Sequence, residues 1–99
     1  MDEWQEPYRF VVRVVESKSK GPCRAGHRVG DEWEFDYCTP LGLCGEAFHC
    51  IYPLVHAMRL GANLWADVDD GRGHDPDVAF AYCPDDAWLK FEVRRTANR

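Results

Sequence analysis

Hydrophobic and polar residues alternate with two different periods along the chain, and each period predicts a different kind of element. Residues 8–15 are dense in β-branched and aromatic side chains, which predicts a mostly buried strand. Strict alternation over residues 32–38 predicts a second strand, with aromatic residues on one face and acidic residues on the other. Two further strands are predicted at residues 78–83 and 88–94, with a proline-containing turn between them.

Between the second and third strands the period changes to that of a helix. Apolar side chains at helical spacing predict one amphipathic helix over residues 43–60, ended by Gly61 as a C-cap glycine. Pro53 lacks a backbone N–H, so a kinked helix and two short helices that break near residues 49–53 both stay open. The acidic, glycine-containing residues 62–77 predict a solvated loop.

Together these elements predict a single α+β domain over residues 1–99. We expect a curved, mainly antiparallel sheet of about four strands, packed against the helix over residues 43–60. The ends of the chain, residues 1–7 and 96–99, are expected to be flexible. The cysteine-bearing loops are expected to gather at one edge of the sheet. The predicted core contains Phe10, Val12, Phe35, Ile51, Phe91 and Val93.

Charge and composition narrow the classes of partner. Twelve Lys and Arg against seventeen Asp and Glu give a net charge of -5, which argues against nucleic-acid binding. The acidic N-terminus lacks the order of a secretory signal, and no apolar run approaches the roughly 18 residues of a membrane span. We therefore expect a cytoplasmic protein without a membrane or nucleic-acid partner. In a reducing compartment its five cysteines are more often ligands, nucleophiles or packing groups than disulfide partners.

Three of the cysteines sit among turn residues and polar neighbours, and they carry the candidate chemistry. Cys23 precedes His27 by four residues with Gly26 between them, so both side chains could reach one ion if the loop curls. Cys44 is predicted at the helix N-terminus, where the macrodipole stabilises a thiolate. Cys83 ends a strand at a proline turn. Three thiols and the imidazole would complete a Cys3His tetrahedral metal site.

The other candidate residues favour structural interpretations. Cys38 is predicted on the wet face of a strand, and Cys50 lies away from the apolar stripe of the helix. His49 and His56 share a flank of the helix outside that stripe, which is typical of surface histidines. The aspartates of residues 67–77 lack the spacing and the closing Glu of a calcium-binding EF-hand loop.

Three motifs combine along the chain. They are C-x-x-G-H-x-x-G-D at residues 23–31, T-P-x-G-x-C at residues 39–44 and C-P-D at residues 83–85. Read together, they resemble a family of small, functionally unassigned prokaryotic proteins, and the resemblance covers about residues 10 to 95.

The resemblance implies that three cysteines belong to a shared pattern: Cys23, Cys44 and Cys83. Cys38 and Cys50 are then peculiar to this protein. Where the family carries proline after the first and second cysteines, this chain has Arg24 and Gly45, which affects loop rigidity rather than the thiols. The family implies no activity.

Three hypotheses for the function follow. The first is a metal- or iron–sulfur-binding protein that uses Cys23, Cys44 and Cys83 to bind zinc, iron or a cluster. His27 is then the fourth ligand or a group that orients a ligand.

The second is a thiol redox protein or enzyme, in which Cys44 is the nucleophile, Cys23 or Cys83 resolves it, and His27 is the base. The third is an interaction subunit with structural cysteines, whose tryptophans face a protein partner or another copy: Trp4, Trp33, Trp65 and Trp88. Catalysis and any small-molecule substrate stay open.

Overall fold

One antiparallel sheet and one helix form the part of the chain that the structure describes. The computed structural model describes residues 7–18, 23, 25–36, 38–84 and 89–97. In chain order the elements are β1 (Tyr8–Ser17), β2 (Glu32–Phe35), α1 (Gly45–Arg59), β3 (Val78–Tyr82) and β4 (Leu89–Ala97). The strands are ordered β2-β1-β4-β3, each pair antiparallel, and α1 packs on one face against β3 and β4. The predicted α+β class is confirmed.

The core lies between the helix and the covered face of the sheet. Alternate residues of the strands point into it, as the period of two requires. Phe10, Val12 and Phe91 are completely buried, and Ile51 of α1 lies against them with none of its surface exposed. All six predicted core residues are at most 2% exposed. Burial of these side chains is the main stabilising contribution to the fold.

Several element boundaries differ from the prediction. β2 ends at Phe35, three residues early, and the predicted Tyr37 position lies outside the described residues. β3 ends at Tyr82, so that Cys83 follows the strand directly. β4 continues through Ala97, beyond the predicted end at residue 94 and into the tail that was expected to be flexible. Trp88 and the turn residues 85–86 also lie outside the described part.

The helix α1 runs without interruption through Pro53, so this segment is one helix and not two short helices. Pro53 removes one backbone hydrogen bond, but it lies on the exposed side of α1, where its ring does not disturb the packed face. At the C-terminus, Gly61 adopts a φ of 89° and donates its N–H to the carbonyl of Met58. Ala62 donates to Ala57, which completes the Schellman motif and confirms the predicted C-cap glycine.

The opposite face of the sheet carries charged side chains rather than a second layer. Arg13 lies between Glu32 of β2 and Glu92 of β4 in the register of the strands. Arg9 of β1 donates from Nε to the carboxylate of Glu34 of β2 at 3.0 Å. Opposite charges on neighbouring strands stabilise a face that is exposed to solvent. This face therefore needs no second layer, and the single helix covers the other face.

Candidate functional site

The strand topology brings two of the cysteine motifs to one end of the sheet. Ser17, the last residue of β1, pairs with Leu89, the first residue of β4. Cys83 follows β3 and donates its backbone N–H to the carbonyl of the same Leu89 at 2.9 Å. Since Cys23 lies in the connection after β1, and its loop borders a cavity of about 350 Å³ with Ser17 and Leu89, both cysteines belong to this end.

The loop that carries Cys23 is fastened to the helix by His27. The backbone N–H of Cys44 donates to His27 Nε2 at 3.1 Å, across seventeen residues of sequence. The imidazole also packs edge-on against Trp33, with the ring centroids 4.6 Å apart. Within the loop, Gly26 has a φ of 80° and donates to the carbonyl of Cys23, which forms the predicted curl. The first and second motifs therefore meet.

This hydrogen bond limits what His27 can do. A neutral imidazole has one lone pair, and here the pair on Nε2 accepts the Cys44 N–H. His27 therefore holds the backbone of Cys44, and it can ligate a metal through Nε2 only if this bond breaks. Of its two predicted roles, the geometry favours orienting a cysteine over binding an ion.

Cys44 is the N-cap residue of α1. Its backbone is extended, with φ of -60° and ψ of 141°, and its side chain makes no capping hydrogen bond. The thiol is half-buried and packs against the core, as the apolar stripe predicted.

Cys50 is the residue that the sequence interpretation placed wrongly. It is half-buried and packs against the core, and its thiol donates to the carbonyl of Ala47 at 3.2 Å. The pKa of Cys50 is raised to about 11, chiefly by burial, and the nearby thiols of Cys83 and Cys44 contribute to the same rise. Cys50 therefore lies within electrostatic reach of Cys83, which follows β3, and of Cys44. Only the long-range contact between α1 and β3 could have revealed this.

The remaining polar candidates lie apart from the thiols. Cys38 is exposed, and so are His49 and His56 on the outer side of α1, in agreement with the prediction. None of the five cysteines forms a disulfide. Within residues 7–18, 23, 25–36, 38–84 and 89–97, no group of three or more His, Cys, Asp or Glu side chains is arranged so that it could hold a metal ion. The predicted ligands share a region of the molecule but not a ready coordination geometry.

Comparisons with known proteins identify no relative. Neither the protein-family models, the curated proteins nor the solved structures contain a match to this chain. The resemblance to the small prokaryotic family therefore stays a prediction. A search of the described helices finds none with the length and apolar character to cross a membrane.

Proposed function

We propose that this chain binds a soft metal, zinc, iron or an iron–sulfur cluster, through cysteine thiolates near the N-terminal end of α1. The ligands are Cys23, Cys44 and Cys83, and His27 positions Cys44. The observation that carries this proposal is the 3.1 Å hydrogen bond between the Cys44 N–H and His27, because it joins the first cysteine motif to the second. A thiolate-rich donor set suits these metals.

The donor set fits such a metal by chemistry, but the side chains must move to bind it. Cys23 lies in a loop three residues before Gly26, a position where a change of backbone angle costs little. Cys83 is buried in the core at 5% exposure and lies directly after a strand, so it is the most firmly placed of the three. Closure of the Cys23 loop on the metal would couple binding to local folding, as is common for thiolate sites. A reducing cytoplasm is the compartment in which these thiols would stay available.

Metal content tests this proposal directly. Protein purified without oxygen should contain close to one equivalent of metal or cluster, or should take it up after reconstitution with zinc or with iron and sulfide. Single serine substitutions at Cys23, Cys44 or Cys83 should remove most of it, whereas Cys38→Ser, which alters an exposed thiol, is the matched control. A protein that stays empty under both conditions would refute metal binding.

A thiol redox function is the second candidate, and the lack of a ready coordination group among the described side chains favours it. The Cys44 thiolate would attack an external disulfide and release one thiol. Cys83 or Cys23 would then displace the second thiol, which leaves a disulfide in this chain and a reduced external dithiol. Incubation of metal-free protein with oxidised glutathione, followed by peptide mapping, should then show that disulfide. Its absence would refute this candidate.

A further inference from the structure

The cavity of about 350 Å³ beside the Cys23 loop combines a thiol with a positive charge. It lies at the end of the sheet where Ser17 of β1 pairs with Leu89 of β4, and both residues line it. Its volume is at the lower end of the range of small-molecule pockets. Among the residues that the structure describes, Cys23 is the one cysteine in its lining, since Cys44 and the other thiols lie elsewhere. A small molecule in this cavity therefore meets the Cys23 thiol first.

Arg28 lines the same cavity and supplies the charge. Its backbone N–H donates to the Asp31 carboxylate at 2.9 Å, and its carbonyl accepts the Asp31 N–H at 3.0 Å, which fixes the turn that carries it. The guanidinium forms no ion pair or hydrogen bond with any residue of the described chain, so its donors are free for a ligand. The described lining contains no acidic side chain. An anionic group in the cavity is therefore attracted to Arg28 without a competing carboxylate in the lining.

The rest of the lining is uncharged. Leu89 and the exposed Val29 give apolar surface against which a short aliphatic chain can pack. His27 accepts the Cys44 N–H at Nε2, so its ring is in the neutral form and carries its proton on Nδ1. The cavity thus suits a molecule with a sulfur atom at one end of a short chain and an acid group at the other.

We propose that Cys23 is a modification site that forms a mixed disulfide with small anionic disulfides, whose acid group pairs with Arg28. The Cys23 thiol loses its proton to solvent, and the thiolate attacks one sulfur of the external disulfide. The external S–S bond breaks, a new S–S bond to Cys23 forms, and the other half leaves as a thiolate with the electron pair. This reaction needs neither a metal nor a second cysteine, so it goes beyond both candidate functions.

The experiment compares three disulfides that share the same short arm and differ in the end group: dithiodipropionate is anionic, hydroxyethyl disulfide is neutral and cystamine is cationic. The protein is reduced and treated with a chelator, so that Cys23 is free of metal. Samples are quenched with N-ethylmaleimide at intervals, and peptide mapping gives the initial rate of modification at each cysteine. Exposed Cys38, outside the cavity, reports the intrinsic reactivity of each reagent.

Cys23 should react about two- to fivefold faster with dithiodipropionate than with hydroxyethyl disulfide after this correction, which is the effect of one exposed ion pair. Cystamine should react more slowly than the neutral reagent. Because Asp36 accepts the Cys38 N–H and lies beside the reference thiol, the decisive comparison is between variants at the same cysteine. Arg28→Gln should abolish the preference of Cys23 for the anion, and Arg28→Lys should keep most of it.

Arg94→Gln is the matched control, because it removes the same charge from β4 outside the cavity and should leave the preference of Cys23 unchanged. The proposal is overturned if Cys23 shows no preference for the anion, if Arg28→Gln preserves it, or if Arg94→Gln abolishes it equally. Cys44→Ser should leave the initial rate at Cys23 unaltered. A reaction at Cys23 that requires Cys44 would instead support the redox candidate and refute this site. Thermal unfolding of each variant checks that the fold is intact.

Discussion

The two ends of α1 are held in different ways. At the C-terminal end, the side chain of Arg95 is buried, with 7% of its surface exposed. Its guanidinium donates to the carbonyls of Met58, Ala62 and Pro76 and to the carboxylate of Asp77. At the N-terminal end, the Cys23 loop is linked to the helix by a hydrogen bond from the Cys44 N–H to the side chain of His27.

The difference separates a structural anchor from a candidate site. The Arg95 side chain donates hydrogen bonds to three backbone carbonyls and one carboxylate, and its guanidinium also lies over the ring of Tyr8. This end therefore cannot move without leaving the buried guanidinium unpaired. The thiol end combines a glycine-bearing loop with a helix cap whose side chain makes no capping bond. An end with few restraints can reorganise around a metal or a disulfide at small cost.

The largest expected effect comes from breaking the anchor. Arg95→Met should lower the free energy of unfolding by roughly 2–3 kcal/mol, because it leaves the buried carbonyl of Met58 and two partly buried carbonyls without their donor, while Asp77 is half-exposed and regains water. Urea denaturation measures this change. Arg94→Met, at the exposed neighbouring position, should cost no more than about 0.5 kcal/mol. Similar losses in both variants would show that Arg95 is not an anchor.

The reactivity of Cys50 tests how the thiols at the N-terminal end of α1 are buried. Because the pKa of Cys50 is raised to about 11 from an ordinary 9.0, its thiolate fraction near neutral pH should be about 100-fold below that of an ordinary thiol. Iodoacetamide labelling with peptide mapping should therefore modify exposed Cys38 much earlier. Labelling in urea, where burial is lost, should remove the difference; equal rates in the folded protein would contradict the raised pKa.

The raised pKa of Cys50 also makes the free energy of unfolding depend on pH. The folded state keeps Cys50 protonated while the unfolded chain loses the proton above about pH 9, so this contribution is complete below pH 9 and is lost as pH rises towards 11. Unfolding measured between pH 8 and 11 should show a smaller decline in Cys50→Ala than in the unaltered protein. An identical decline would mean that Cys50 does not titrate differently in the two states.

A smaller effect is expected from the link between the Cys23 loop and α1. His27→Ala should cost about 1–2 kcal/mol, since it removes the bond to the Cys44 N–H and the contact with Trp33. If the metal proposal holds, metal affinity should fall by roughly 10- to 100-fold, as for loss of a group that orients a ligand. His49→Ala, on the exposed side of α1, is the control. Unchanged stability and affinity would make His27 an ordinary surface residue.

The smallest expected effect concerns Asp70. His74 lowers the pKa of Asp70, with help from the Arg72 backbone N–H, so the carboxylate stabilises the folded state above the ordinary pKa of 3.8. This contribution is lost as pH falls through the lowered pKa. Asp70→Asn should therefore flatten the dependence of stability on pH below about 4 in acid unfolding, and a curve parallel to that of the unaltered protein would contradict the assignment.

The sequence by itself determined the elements and the core. A period of two along β1 and β4 and a helical period along α1 place Phe10, Phe91 and Ile51 inside, because each period directs one set of side chains to one face. Local spacing also placed Cys44 correctly at the start of the helix, and the conformational freedom of glycine predicted the C-cap at Gly61.

Only the tertiary structure decided which distant groups meet. Helical spacing put Cys50 outside the apolar stripe, but α1 packs on β3 so that Cys50 is half-buried near Cys83. The hydrogen bond from the Cys44 N–H to His27 spans seventeen residues of sequence. The rings of Trp65 and His74 stack within residues 62–77, whose composition predicts only a solvated loop. Such contacts depend on strand order and on the direction in which loops cross the sheet. Periodicity describes each segment separately, and so it carries no information about them.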